Sequence, residues 1–292
     1  MTRLKEFGYR GEEAEGVARI VSHHGDYFHL VCNETTGEIL ARKKKSAFTR
    51  MKTKAPDNMK GKKISEKAEE APLQPITGDF VRFRYNQQGD SMITEVLPRF
   101  SHFERKDPTA RRTSQTLAVN FDTLFIMMSL NEDFSTARID RYLTLAEDIG
   151  EAEAVVVVTK MDLKEDGDEE FIEALEETVD GRAKILYISS LTGEGMDEVE
   201  KYAAPGKTLA FIGSSGVGKS TLVNTLAGEE WMPTQEIQEW SGKGRHTTTS
   251  RELVLLPSGA LILDTPGIRE IGILGEVDNQ LQKGFSNHRF RK

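Results

Sequence analysis

Between residues 207 and 221 the chain reads KTLAFIGSSGVGKST, and little else it contains restricts the fold so tightly. Four apolar residues (Leu209, Ala210, Phe211, Ile212) predict a strand. Gly213, Ser214, Ser215, Gly216, Val217, Gly218, Lys219 and Ser220 follow, and then Thr221, Leu222, Val223 and Leu226 open a helix. This is G-x-x-x-x-G-K-[ST] with a strand before it and a helix after it, the setting in which the motif holds phosphate. Gly213, Gly216 and Gly218 let successive backbone N–H groups face one concavity without a Cβ in the way. The helix N-terminus adds partial positive charge there. Lys219 can reach the β- and γ-phosphates and serve catalysis, while the Ser220 hydroxyl can ligate Mg²⁺. The bland alternative is an ordinary glycine-rich strand-to-helix turn. Further short motifs at other strand ends argue against it.

The strand at 154–158 ends in Thr159-Lys160-Met161-Asp162. A carboxylate at Asp162 can accept two hydrogen bonds from guanine N1–H and its exocyclic amine, with the stem of Lys160 covering the base. Adenine lacks that donor pair, so leaving the carboxylate unsatisfied selects against it. Ser189-Ser190-Leu191 follows the strand at 185–188 and can offer a backbone N–H to the guanine O6. The strand at 260–263 leads into Asp264-Thr265-Pro266-Gly267, where Asp264 can hold Mg²⁺ through water and Gly267 can donate to a γ-phosphate. Each tetrapeptide alone reads equally well as a turn. Together, at strand ends beside a phosphate loop, they describe a GTP site.

Their order is unusual. The base-reading segments precede the phosphate loop and Asp264-Thr-Pro-Gly267 comes last, whereas most GTPases begin with the phosphate loop. Termini that lie close together can be joined and the chain cut elsewhere without dismantling a site. The expected domain is therefore an α/β P-loop GTPase domain, circularly permuted, with a mostly parallel sheet. Its helices are expected at 135–149, with Ser135 as N-cap and Gly150 past the C-terminus, and around 169–179.

Residues 1–112 read differently. Short strands at 17–21, 27–31, 39–40, 78–85 and 91–97, broken by turns, fit a small all-β barrel of the OB type. The chain is acidic overall at −8, yet residues 1–112 carry +6 and residues 113–292 carry −14. Much of the positive charge falls in 42–67, where eleven Lys and Arg face only Asp57 and Glu66. That run is expected to be a solvated loop, either merely solubilising or a nucleic-acid contact. Residues 99–112 are expected to be a basic connector. The domain reading is thus 1–100 for the barrel, 101–275 for the G domain and 276–292 for a further module.

No apolar run is long enough for a membrane-spanning helix and the N-terminus lacks a cleavable leader, so a cytoplasmic, monomeric protein with no membrane partner is expected. Cys32 is the only cysteine; it excludes a disulfide framework and reads as a small buried hydrophobe.

The permuted order, the N-terminal barrel, and the phrases Ser129-Leu-Asn-Glu-Asp-Phe134, Arg141-Tyr-Leu143 and Gly244-Arg-His-Thr-Thr-Thr249 resemble the RsgA/YjeQ family of small-ribosomal-subunit-dependent GTPases. The resemblance covers about 16–275. It implies GTP hydrolysis stimulated by the small (30S) ribosomal subunit, a role late in that subunit's maturation, and rRNA contact through the basic N-terminal domain. The segment 229–250 is the expected switch I, with Thr248 (or Thr247 or Thr249) as a further Mg²⁺ ligand. Ile268 stands where many GTPases carry a water-orienting glutamine, so slow intrinsic turnover is expected, with His246 as the candidate for positioning water. Relatives also carry a zinc module with three cysteines and a histidine. Such a site needs four ligands, and after Cys32 only His288 of the tail remains, so no zinc is expected. A GTP-gated rRNA-binding module with negligible turnover is the rival reading. A P-loop kinase is a third, opposed by the Thr159–Asp162 segment.

Overall fold

A computed structural model of the chain describes residues 2–48, 73–106, 114–130, 134–228 and 252–264. After one helical turn, α1 (Arg3–Glu6), come β1 (Val17–His24), β2 (Tyr27–Cys32), β3 (Ile39–Lys43), β4 (Phe80–Arg84) and β5 (Ser91–Val96). They pair in the order β1-β2-β3-β5-β4 and close through β1–β4, antiparallel throughout except β3 with β5. Alternate residues point inward, so Ala18, Ile20, Phe28, Leu30, Ala41, Val81, Phe83 and Ile93 form one buried cluster. Cys32 is fully buried within it, as expected of a small hydrophobe. The result is the five-stranded OB-type barrel.

Two expectations fail at the barrel's edges. Arg42 and Lys43 belong to β3, not to a solvated loop, because their backbones pair with Met92 and Ile93; Phe48, a few residues on, is buried in the barrel core. Residues 49–67 of the basic run lie outside the described residues. The basic connector is in part a hairpin. Antiparallel β6 (His102–Lys106) and β7 (Ser114–Val119) pair from His102↔Val119 to Lys106↔Ser114. Phe103 and Leu117 are buried in the G-domain core, and that burial outweighs the hairpin's polar composition.

The G domain follows as β8 (Thr123–Ser129), α2 (Thr136–Leu145), β9 (Glu153–Thr159), α3 (Glu169–Val179), β10 (Lys184–Tyr187), α4 (Met196–Glu200), β11 (Thr208–Gly213), α5 (Lys219–Ala227), β12 (Glu252–Leu255) and β13 (Leu261–Asp264). The strands lie in the order β10-β9-β8-β11-β13-β12, all parallel except the terminal β12–β13 hairpin. Successive residues alternate between two cores. Leu124, Ile126, Val156 and Val158 meet Ile139, Leu143 and Leu175 of α2 and α3. Phe125, Met127, Val155 and Val157 meet Val199, Leu222 and Val223 of α4 and α5. A sheet covered on both faces explains the unbroken apolar runs of β8 and β9.

Ser135 caps α2, its hydroxyl accepting from the Arg138 N–H at 3.3 Å. The helix ends at Leu145, however, and Gly150 is not its C-terminal cap. Gly150 sits at φ 77° against Ser101, where a Cβ would come within 2.4 Å of the Phe100 carbonyl oxygen.

Barrel and G domain share one sheet through Ser22 of β1, which pairs with Glu252 of β12. A buried cation sits beside that seam. Arg19 of β1 is 0% exposed and donates to the carbonyls of Phe7 (2.6 Å), Asn120 (2.7 Å) and Gly78 (3.3 Å), and to the Thr208 hydroxyl (3.0 Å). Burial pushes the guanidinium down to about 9, with Asp122 and Asp79 opposing, so it stays charged at neutral pH.

Candidate functional site

Because β8 to β11 run parallel, their carboxyl ends lie along one edge, where open α/β sheets hold ligands. The phosphate loop leaves β11 at that edge. Gly213 pairs with Met127, and a Cβ at Gly213 would come within 2.8 Å of the Met127 carbonyl oxygen. Only glycine allows that approach. Gly216 and Gly218 take φ 74° and 97°, the left-handed region that side chains avoid. Val217 is buried in the core behind the loop, while Ser215 and Gly216 are exposed. Gly218 caps α5, whose first turn carries Lys219, Ser220 and Thr221. The first N–H groups of a helix have no partner within it, so the segment is a ready cradle for an anion.

At the end of β9 the Thr159 hydroxyl lies 2.6 Å from the Val217 carbonyl oxygen and 3.1 Å from that of Met128. This threonine is buried and its oxygen faces the 213–218 loop, so segment 159–162 and that loop are directly joined. The chain then turns sharply. Lys160 adopts φ 62° and ψ 37°, and Met161–Leu163 form a single 3-10 turn. The Met161 N–H reaches the carbonyl of Ile188 at 3.1 Å. Asp162 is exposed at the edge, its Oδ1 accepting from the Ser189 hydroxyl at 2.5 Å.

Ser189 is itself buried. Its oxygen also accepts from the N–H groups of Leu191 (3.3 Å) and Thr192 (3.1 Å). The Ser189 side chain thus holds both the carboxylate of Asp162 and the turn that follows β10. Ser190 is half-buried, whereas Leu191 is 82% exposed, leaving the tip of that turn open. At the back of the same turn, a Cβ on Gly195 would come within 2.2 Å of the Tyr187 carbonyl oxygen, so the close return of the chain requires glycine.

The expected phosphate, base and closing segments therefore form one row: 213–221, then 159–162, then 189–191. Asp264 ends β13, which runs parallel beside β11, so its backbone reaches the same edge. His246, Thr247, Thr248, Thr249, Gly267 and Ile268 lie outside the described residues. Sequence reasoning places Thr159 and Ser189 around guanine but misses what their hydroxyls hold together. A short hydroxyl side chain at the end of a buried strand is the available signal, since it must find a nearby acceptor.

A family model described as RsgA GTPase matches residues 96–274, more than half of the chain. The chain belongs to the RsgA GTPase family. Among its relatives, Small ribosomal subunit biogenesis GTPase RsgA 2 of Lactiplantibacillus plantarum is 38% identical over 270 residues, covering 91% of this chain and 70% of that protein. Small ribosomal subunit biogenesis GTPase RsgA of Leptospira interrogans (serovar Lai) is 41% identical over 213 residues, or 72% of this chain. That alignment covers 58% of the Leptospira protein's length. Among solved structures, YjeQ from Thermotoga maritima superposes with a TM-score of 0.58 at 27% identity, over 86% of this chain and 74% of that one. YloQ, a circularly permuted GTPase, superposes at 0.51 and 21% identity, over 91% and 76%, and supports the RsgA fold alone.

Proposed function

We propose that this RsgA-family chain binds and hydrolyses GTP and acts in late maturation of the small ribosomal subunit, which stimulates its turnover. One observation carries the nucleotide reading: the contact of Thr159 with Val217 ties a guanine-type segment to a phosphate cradle although the two are far apart in the chain. The left-handed Gly216 and Gly218 and the helix start at Lys219 fit a phosphate chain. Lys219 holds the β- and γ-phosphates and Asp162 pairs with guanine, with Lys160 along the base. The turn 189–191 closes over O6.

Ser220, Asp264 and a switch threonine, Thr248 by choice, would hold Mg²⁺. Held there, the ion would supply positive charge to offset that of the phosphates. His246 orients the attacking water when the subunit orders the switch segment. A three-cysteine, one-histidine zinc site does not fit the residues present, since the one cysteine is buried in the barrel. The subunit reading draws on the relatives' names and on the positive charge of residues 1–112, which suits rRNA.

A rival reading, a GTP-gated rRNA-binding module with negligible turnover, is favoured by Ile268 in place of a water-orienting glutamine. Calorimetry with GDP and ADP tests the base assignment. Phosphate release with and without small subunits then separates the readings: stimulation supports the hydrolase, and none at saturating subunits supports the gate.

A further inference from the structure

Residues 3–10, ahead of β1, lie across the joint between barrel and G domain and are held on both sides. On the barrel side, the Arg3 guanidinium donates to the carbonyls of Thr35 and Gly37, each at 2.7 Å, and the Leu4 N–H donates to the Asn33 side-chain oxygen at 2.9 Å. Leu4 is fully buried in a cluster with Val17 and Phe80. The Tyr9 ring lies 5.2 Å from that of Phe80, centroid to centroid. Phe7 packs against the cluster in which Val21 and Val31 of the barrel meet the G-domain core. Gly8, at φ 79°, passes so close to the turn before β11 that a Cβ would come within 2.9 Å of the Gly206 carbonyl oxygen.

The far end of this segment grips the G domain. Arg10 Nη2 is 2.9 Å from Asp122 and Nη1 is 2.6 Å from Glu151, while the guanidinium carbon stands 3.6 Å from the Phe100 ring centroid. An exposed ion pair alone holds little. Here one guanidinium meets two carboxylates and a ring, and the Asp122 side chain, at 11% exposure, is mostly withdrawn from water. Asp122 also accepts from Lys207 at 2.8 Å and from the Thr208 N–H at 2.9 Å. It stands just before β8, and Thr208 opens β11. Arg10 is thus fastened at the amino edge of the sheet. The other tie, Ser22 with Glu252, sits at the carboxyl edge, because Glu252 pairs with Asp264 at the end of β13. Attachment at both edges fixes an angle between two domains that one edge leaves free.

We propose that residues 3–10 form a brace that makes barrel and G domain move as one body, so that a partner seated on the barrel acts on the strands that carry the candidate site. The brace stands on the contacts above; the partner rests on the reading of a hydrolase stimulated by the small subunit. Hydrogen exchange followed by mass spectrometry on the full chain tests the brace. In Arg10→Gln, the amides of β12 and of the facing part of β1 should exchange about tenfold faster than in the parent, with β9 and α3 unchanged. Arg3→Gln combined with Arg10→Gln frees both ends and should raise exchange at the seam further; neither residue is buried, and circular dichroism reports folding. Lys207→Gln removes an ion pair from the same carboxylate without touching the brace, and should leave the seam as in the parent. No rise even in the double variant, or an equal rise in Lys207→Gln, overturns the brace. Phosphate release tests the coupling: Arg10→Gln should keep the unstimulated rate and lose about tenfold of the stimulation by small subunits. Full stimulation in Arg10→Gln overturns the coupling. A parent that small subunits do not stimulate overturns the hydrolase reading and the coupling with it, and exchange at the seam still decides the brace.

Discussion

The Thr159 hydroxyl is 2.6 Å from the carbonyl oxygen of Val217, a bond between the end of β9 and the loop that follows β11. Nothing in the chain's order anticipates it, because the two strands are separated by β10 and two helices. Yet it makes the shape of the 213–218 loop depend on the segment proposed to read the base.

Removing that hydroxyl leaves the shape of residue 159 nearly intact but strands a buried carbonyl. A stranded group of that kind costs about 1–3 kcal/mol, part of which is recovered by relaxation. Thr159→Val should therefore weaken GDP binding by about tenfold, whereas Thr159→Ser should stay close to the parent. Titration calorimetry at one salt concentration checks both.

Ser189 supports Asp162 and the following turn with one oxygen. In Ser189→Ala the carboxylate is no longer aimed, so preference for GDP over ADP should shrink. Asp162→Ala should abolish that preference and spare phosphate binding. A selectivity ratio that does not move in Asp162→Ala would remove the guanine assignment.

His246→Ala should lower phosphate release in the presence of small subunits by about 100-fold or more, in keeping with the usual worth of a positioned proton acceptor. Nucleotide affinity should not change. Equal stimulated rates in the two proteins would eliminate the role.

Arg19 touches three carbonyls and one hydroxyl contributed by separate segments. Arg19→Ala leaves these acceptors unmet, so unfolding by urea should show a loss of about 1–3 kcal/mol for each one that water does not reach. Arg19→Lys should recover only part of this, since an ammonium cannot span the same acceptors.

Glu198, at the protein surface, is pulled down to about 2 by Lys201 and Lys184. Its folded pKa is depressed, so its contribution to stability is present above its ordinary value of 4.5 and fades as pH falls toward 2. The melting temperature of Glu198→Gln should fall slightly below the parent's near neutrality. The two should converge in that acidic window.

The row of segments at the sheet edge was readable because each is a short run at a strand end: 213–221 needs glycines where backbone crowds, and 159–162 turns sharply after a buried strand. The sheet was readable for a similar reason, since strands covered on both faces leave apolar runs that helices do not. What escaped depends on distant partners. In β6 and β7 the polar residues disguise a hairpin that only the burial of Phe103 and Leu117 reveals. Gly150 looks like a helix terminator, but its conformation serves the close passage of Phe100. Arg19 carries no local mark of burial at all; its acceptors come from both sides of the molecule.

The pairing of Ser22 with Glu252 has a kinetic meaning as well. It fastens the first of the described strands to the last but one, so the clasp can close only when nearly all of the described chain has been made. Contacts between such remote stretches form slowly. A newly made molecule therefore passes through an interval in which its barrel is complete but has not been latched to the G domain.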